Sequence, residues 1–154
     1  MIRESHWDCV FMRLENDLPG CRLIELNCHA DARGRLYPLD LRHLAGFDAS
    51  RMFLITVPED PLGVCRGGHS NSTRQVLVAA TGRVTVDLDA GVQKASVVLD
   101  RPDVALVIGA GVLNQMRDFA PGTLLIGLAE VPFSQTQYYS EPQPSLFAAR
   151  STLA

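Results

Sequence analysis

Apolar and polar residues alternate with period two along Arg83-Val-Thr-Val-Asp-Leu-Asp89, the mark of a strand with one face buried. Asp89-Ala-Gly91 then supplies turn chemistry, and Ala95 to Leu99 begins another short strand. Gln75 to Ala80 is continuously apolar after its first residue, which predicts a strand buried on both faces. Val104 to Ile108, Val112 to Arg117 and Thr123 to Leu128 predict further strands, with Gly109-Ala-Gly111 and Ala120-Pro-Gly122 as the turns between them. Upstream, Cys21 to Leu26, Leu36 to Leu39 and Met52 to Thr56 fit the same pattern. Helix signals are few: Asp40 to Gly46 predicts one turn and Ser134 to Tyr139 another. The first 20 residues read as an extra strand or arm. The tail from Glu141, with Pro142 and Pro144, reads as irregular until a short apolar segment at Leu146 to Ala149. Short strands at roughly ten-residue intervals predict an all-β sandwich or barrel with little helix.

Length and charge narrow the function classes. A chain of 154 residues fits a single domain, 1–154, with 1–20 as the N-terminal arm or extra strand and 141–154 as a C-terminal tail. With 47% hydrophobic and 20% charged residues, it can bury a core and need not be disordered. The formal net charge of −3 and the absence of a Lys/Arg block argue against nucleic acid as a partner. No apolar run approaches the roughly 18 residues needed to span a bilayer, so no membrane partner is expected. Met1-Ile-Arg-Glu-Ser-His-Trp-Asp8 lacks a basic stretch followed by an apolar one, so a cytoplasmic protein is expected. Cys9, Cys21, Cys28 and Cys65 form no C-x-x-C pair and no zinc pattern, and free thiols are the expectation. Cys65, four residues before His69, is either a nucleophile or a small apolar packing residue, and packing is the commoner role.

The candidate chemistry centres on Gly63-Val-Cys-Arg-Gly-Gly-His69-Ser-Asn71-Ser-Thr-Arg-Gln75, followed by an apolar run to Gly82. Its spacing, G-x5-H-x-N-x3-Q-x6-G, resembles the first motif of a cupin barrel, G-x5-H-x-H-x3-E-x6-G. Residues at x and x+2 of a strand share a face, which is how that motif aims two imidazoles at one metal. The second cupin motif, P-x-G-x2-H, has its counterpart in Gly109-Ala-Gly-Val-Leu-Asn114. Three of the four ligand positions are thus amides: Asn71, Gln75 and Asn114. Transition metals prefer imidazole, carboxylate and thiolate, so the expectation is a pocket with no metal and no cofactor. Its polar groups remain able to hydrogen-bond an oxygenated small molecule.

A wider resemblance covers residues 20 to 147. Asp31-Ala-Arg-Gly34-Arg-Leu36 is similar to D-x-R-G-x-L, Arg51-Met-Phe-Leu-Ile55 to R-V-Y-Y-I, and Arg66-Gly-Gly-His-Ser-Asn71 to R-G-x-H-A-H. Val112-Leu-Asn-Gln-Met-Arg-Asp-Phe119 resembles V-W-H-E-M-x-D-F, and Leu128 to Tyr138 resembles L-A-S-x-x-Y-x-E-x-D-Y. These are the motifs of the FdtA/QdtA (WxcM-like) nucleotide-sugar 3,4-ketoisomerases, small cupins acting on thymidine-diphosphate 4-keto-6-deoxyglucose. The resemblance implies an RmlC-like jelly-roll barrel, a homodimer (usually strand-exchanged), and a metal-independent proton transfer through an enediol. In the family the paired histidines of R-G-x-H-A-H carry the protons, and imidazole titrates near neutrality. Here only His69 of the pair is kept. Asn71 is neither acid nor base, and Leu113, Asn114 and Gln115 stand at the Trp-His-Glu positions.

The expected site is therefore His69 as acid/base, with Arg66, Asn71, Gln75, Asn114, Arg117 and Tyr138 binding substrate. Arg66 and Arg117 are candidates to hold a diphosphate, with surface ion pairing as the competing role. Tyr138 and Tyr139 either close over a ligand or pack the tail on the barrel. His29 and His43 are expected to be solvated, and Asp118 to be structural. Two function classes stand: an enzyme, either an isomerase acting on a nucleotide sugar or an isomerase or cyclase acting on a non-sugar metabolite of a specialised biosynthetic pathway, and a cupin that binds a sugar nucleotide or small metabolite without turnover.

Overall fold

The structure, a computed structural model, describes residues 10–12, 14 and 17–148. Thirteen strands are described. β1 (Val10–Met12), β2 (Arg22–Glu25), β10 (Val104–Ile108), β7 (Gln75–Thr81), β12 (Leu124–Ala129) and β5 (Arg51–Thr56) form a six-stranded sheet in that spatial order. β13 (Tyr138–Tyr139), β6 (Arg66–Asn71), β11 (Leu113–Arg117), β8 (Val84–Asp89) and β9 (Lys94–Leu99) form a five-stranded sheet. Every pairing is antiparallel. A separate hairpin pairs β3 (His29–Asp31) with β4 (Gly34–Leu36).

The two sheets face each other across one core. Leu77, Leu106, Leu125, Val84, Val86, Leu88 and Leu99 meet there, all essentially inaccessible to water. The outer face of the six-stranded sheet is covered as well. Helix α1 (Leu41–Ala45) and Phe47 seal Ile24, Val76, Val78, Ala105 and Val107 into a second cluster. Being buried on both faces is why β7 and β10 read as unbroken apolar runs, whereas β8 alternates. A one-residue slip in β7 would exchange Leu77 and Ala79 with Val76 and Val78 between two differently shaped clusters, so its register is held from both sides.

The local signals carry through where side chains alternate or cap. Asp40 caps α1 by accepting the His43 N–H at 3.3 Å, and Gly46 ends it in the left-handed conformation. Two expectations change. Leu36 to Leu39 is strand only at Leu36, because Pro38 lacks a ladder donor and the hairpin uses Gly34–Leu36 instead. Ser134 to Tyr139 is not one helical turn: a 3-10 turn spans Phe133–Gln135, and the chain then extends into β13. Mutual bonds between Ser72 and Gln137 account for this, since the Ser72 N–H donates to the Gln137 carbonyl and the Gln137 N–H to the Ser72 hydroxyl. A second 3-10 turn, Pro144–Leu146, lies within the tail. Of the predicted arm, β1 is described and pairs with β2; residues 1–9 lie outside the described part, as does Ala149. Among the described residues no helix is long and apolar enough to cross a membrane.

Cys21, Cys28 and Cys65 are free, and Cys9 lies outside the described residues. Cys21 is buried, and its sulfur accepts the Gly109 N–H at 3.5 Å. Burial pushes its thiol up to about 11, against the smaller opposing effect of that N–H. The folded chain therefore holds this proton more tightly than the unfolded chain. The stability it confers is complete below about pH 9 and is lost as pH rises towards 11. Denaturant titrations at pH 8 and pH 11 should show Cys21→Ala losing on the order of 2 kcal/mol less than the parent over that interval. Equal losses would contradict this linkage.

Candidate active site

At one end of the barrel the two sheets part around a cavity of about 740 Å³. β5 contributes Arg51, Phe53 and Ile55, the inward half of a strand whose burial alternates residue by residue. β6 contributes Arg66, Gly67, Gly68 and His69; β7 contributes Gln75; β11 contributes Asn114 and Met116. Phe133 and Tyr138 to Ser140 close it from the tail.

The β6–β11 pairing assembles the two motif halves. His69 lies opposite Asn114, but Gln115 lies opposite Gly67, so Gly68 is the extra residue of a β-bulge. Both glycines are left-handed, with φ of 81° and 78°. A Cβ at Gly67 would sit 2.7 Å from the Asn114 carbonyl oxygen, whereas nothing lies within 4 Å of one at Gly68. The bulge re-aims the strand so that His69 enters the cavity while Ser70 and Asn71 pass beneath the tail. Among the described residues no hydrogen bond reaches the His69 ring. The Tyr138 ring meets it edge-on at 4.9 Å. Phe53 owes its place to Gly127 directly across the β5–β12 ladder, because any side chain at 127 would collide with its ring.

Of the seven residues expected at the site, His69, Arg66, Gln75, Asn114 and Tyr138 line this cavity. Asn71 and Arg117 do not. Asn71 is buried, and its Oδ1 accepts the Thr73 N–H at 3.2 Å, so its amide shapes the turn into β7. Arg117 lies on the other side of β11, where Asp87 accepts from its Nε at 2.6 Å and from its Nη2 at 3.1 Å, with Asp118 bonded to its Nη1. That pairing holds the Asp87 carboxyl below its usual range. Cys65 is exposed and outside the cavity wall. Sequence reasoning missed Arg51, Phe53 and Phe133. The signals for Arg51 were its match to the Arg of R-V-Y-Y-I and a cation at the start of an apolar strand, with nothing to say which face it took.

The donor set does not suit a metal. His69 is the sole imidazole of the cavity wall, accompanied by the amides Gln75 and Asn114. Among the described residues no group of three or more His, Cys, Asp and Glu side chains is placed to hold one.

Residues 19–149 match the family FdtA: WxcM-like, C-terminal. This chain belongs to that family. It is 32% identical over 111 residues to the TDP-4-oxo-6-deoxy-α-D-glucose-3,4-oxoisomerase of Aneurinibacillus thermoaerophilus, covering 70% of this chain and 77% of the relative. A QdtA 3,4-ketoisomerase from Thermoanaerobacterium thermosaccharolyticum, a double mutant solved with TDP, superposes with a TM-score of 0.73 at 32% identity over 81% of this chain and 90% of that one. The WlaRB TDP-quinovose 3,4-ketoisomerase from Campylobacter jejuni gives 0.73 at 29% identity, over 79% and 92%. Family membership makes the two-sheet barrel a cupin jelly roll and the chain an isomerase relative.

The bulge yields a test. Alanine at either glycine must take a left-handed backbone, which costs about 1–2 kcal/mol, but only Gly67→Ala also displaces the Asn114 carbonyl. Denaturation should find Gly67→Ala clearly less stable than Gly68→Ala. Equal losses would show that the bulge tolerates a side chain facing β11.

Proposed function

We propose that the chain is a metal-independent isomerase that moves the ketone of a nucleotide-linked 4-keto-6-deoxy sugar from C4 to C3, with His69 carrying the protons. The observation that supports this most is the unbonded imidazole of His69 inside the cavity, in a chain whose relatives are 3,4-ketoisomerases. His69 takes the proton from C3. The C3–H electron pair forms the C3=C4 bond, and the C4 carbonyl pair moves onto oxygen as an enediolate. The 3-hydroxyl then passes its proton to the C4 oxygen, C3=O forms as the double-bond pair moves to C4, and His69 returns its proton to C4. The reacting carbons are neighbours, so one base on one face of the ring serves both. Arg66, exposed at the mouth, holds the diphosphate, and Gln75, Asn114 and Tyr138 orient the sugar. With amides at the metal-ligand positions, no metal or other cofactor enters a step. Met52 and Leu54, on the outer face of edge strand β5, are 64% and 57% exposed, which favours a homodimer that covers them.

One observation favours a second reading. Asn71, Asn114 and Gln115 stand where the family's motif has His, His and Glu, and such a loss of titratable groups fits a cupin that binds without turnover. Incubation with thymidine-diphosphate 4-keto-6-deoxyglucose in deuterated water separates the two. The isomerase reading predicts the 3-keto isomer with deuterium at C4, and deuterium at C3 of recovered substrate, both reduced about 10²–10⁴-fold in His69→Gln. Binding without exchange above background would favour the second reading.

Asn71→Ala should leave the rate within a few-fold while lowering stability by about 1–3 kcal/mol, because it strips the buried Thr73 N–H of its acceptor. A collapse of turnover with unchanged stability would return Asn71 to the site.

A further inference from the structure

Among the described residues, Arg51 alone carries buried side-chain nitrogens or oxygens with no hydrogen-bond partner. Its Nη1 donates to the Tyr138 hydroxyl at 3.3 Å. Its Nε and Nη2 are buried and have no hydrogen-bond partner among the described residues. A guanidinium does not escape such a position by losing its proton, because it remains charged at any relevant pH. No Asp or Glu lines the cavity to balance it. Phe53 and Phe133 flank it, with ring centroids 5.8 Å and 5.6 Å from its central carbon, and they fix the plane of the fork. Nε–H and Nη2–H form the edge of the guanidinium that donates two parallel bonds to a planar pair of oxygens. The other cation of the cavity, Arg66, is exposed at the mouth and is not needed to explain this inner one.

We propose that Arg51 is a catalytic residue that grips the two oxygens on the reacting carbons, the ketone and its neighbouring hydroxyl, through Nε–H and Nη2–H. This rests on the isomerase reading and deepens it. A double bond between C3 and C4 of a sugar ring places its two oxygens in one plane and on one side, matching that edge of the guanidinium. Negative charge appears on these oxygens only after His69 has taken the proton, so the contact strengthens as the enediolate forms. In this role Arg51 supplies the electrostatic part that a pocket with a single histidine otherwise lacks. Phe133 and Tyr138, 69% and 42% exposed, are the side chains that must turn aside to admit the ring to this edge, Tyr138 exchanging its bond to Nη1 as it does.

The test compares Arg51→Gln and Arg51→Lys with the parent in three measurements: calorimetric binding of TDP alone, calorimetric binding of thymidine-diphosphate 4-keto-6-deoxyglucose, and deuterium exchange at C3. Arg51→Gln should lose at least about 10²-fold in exchange, the scale of losing an oxyanion donor, with TDP affinity within about threefold of the parent. Arg51→Lys should fall between them, since an ammonium keeps the charge without the fork. The thermal midpoint of unliganded Arg51→Gln should be unchanged or higher, because an unpaired buried cation is removed. Equal weakening of TDP and the keto sugar would assign Arg51 to the diphosphate and overturn the proposal. Exchange within threefold of the parent would overturn it too, as would a lowered midpoint with loss of all binding, which makes Arg51 structural. If the parent itself neither binds nor exchanges the keto sugar, the isomerase reading fails and carries this proposal with it, a failure distinguished by its appearance before any substitution.

Discussion

The site depends on the antiparallel pairing of β6 with β11. Two segments more than forty residues apart come together there, with His69 opposite Asn114 and a single-residue bulge at Gly68. The bulge rests on Gly67 and Gly68, both in left-handed backbone, and at Gly67 a side chain would also meet the Asn114 carbonyl. It shifts the strand's parity between Arg66 and His69, so that both line the cavity although they stand an odd number of positions apart. Beyond it His69 stands in the cavity, while the Asn71 amide is taken up by the Thr73 N–H at the turn that launches β7. The tail then binds to the same strand: β13 pairs with Ser70 and Asn71, and the Ser70 hydroxyl donates to the Glu141 carbonyl at 2.6 Å.

Around that pairing the cavity separates its cations by depth. Arg66 is exposed at the mouth, within reach of a soluble anion. Arg51 is enclosed between aromatic rings, where an unpaired charge is costly and where an acceptor would gain most from a low local dielectric. Arg117, the third arginine that seemed available to a ligand, is neutralised by Asp87 and Asp118. What distinguishes the three is the company each strand register provides: two acids for Arg117, water for Arg66, and two rings with a phenol for Arg51.

Much of this was legible in the chain. The two-fold alternation of β8, the unbroken apolar runs of β7 and β10, and the capped turn at α1 were visible because each residue's burial is set by its own strand or helix. So were the barrel class, carried by the strand pattern with the glycine and histidine spacing, and the family, carried by the motifs spread over residues 20 to 147. The β3–β4 hairpin was not visible, because all six of its residues are exposed and leave no apolar period to detect. The fate of Asn71 was hidden because a strand's spacing says nothing of a side chain turned to its own backbone, although Asn-Ser-Thr is a sequence that readily folds its own amide back onto the chain. Arg51 was hidden for a different reason. Met52 to Ile55 reads as continuous apolar sequence, and the inward face of β5 is decided by its neighbour on β12, where Gly127 leaves room for Phe53. Asp87, whose place in an alternating strand beside β11 takes up Arg117, was on the page but needed the register to be read.

The central claim is that the keto sugar ring sits between His69 and Arg51, with its diphosphate outside at Arg66. A crystal structure of the protein with the bound nucleotide sugar tests it most directly. The account predicts C3 within about 3–3.5 Å of a His69 ring nitrogen, with the C3 and C4 oxygens on Nε and Nη2 of Arg51. A diphosphate lying on Arg51, or a sugar ring turned out to solvent with His69 untouched, would contradict it.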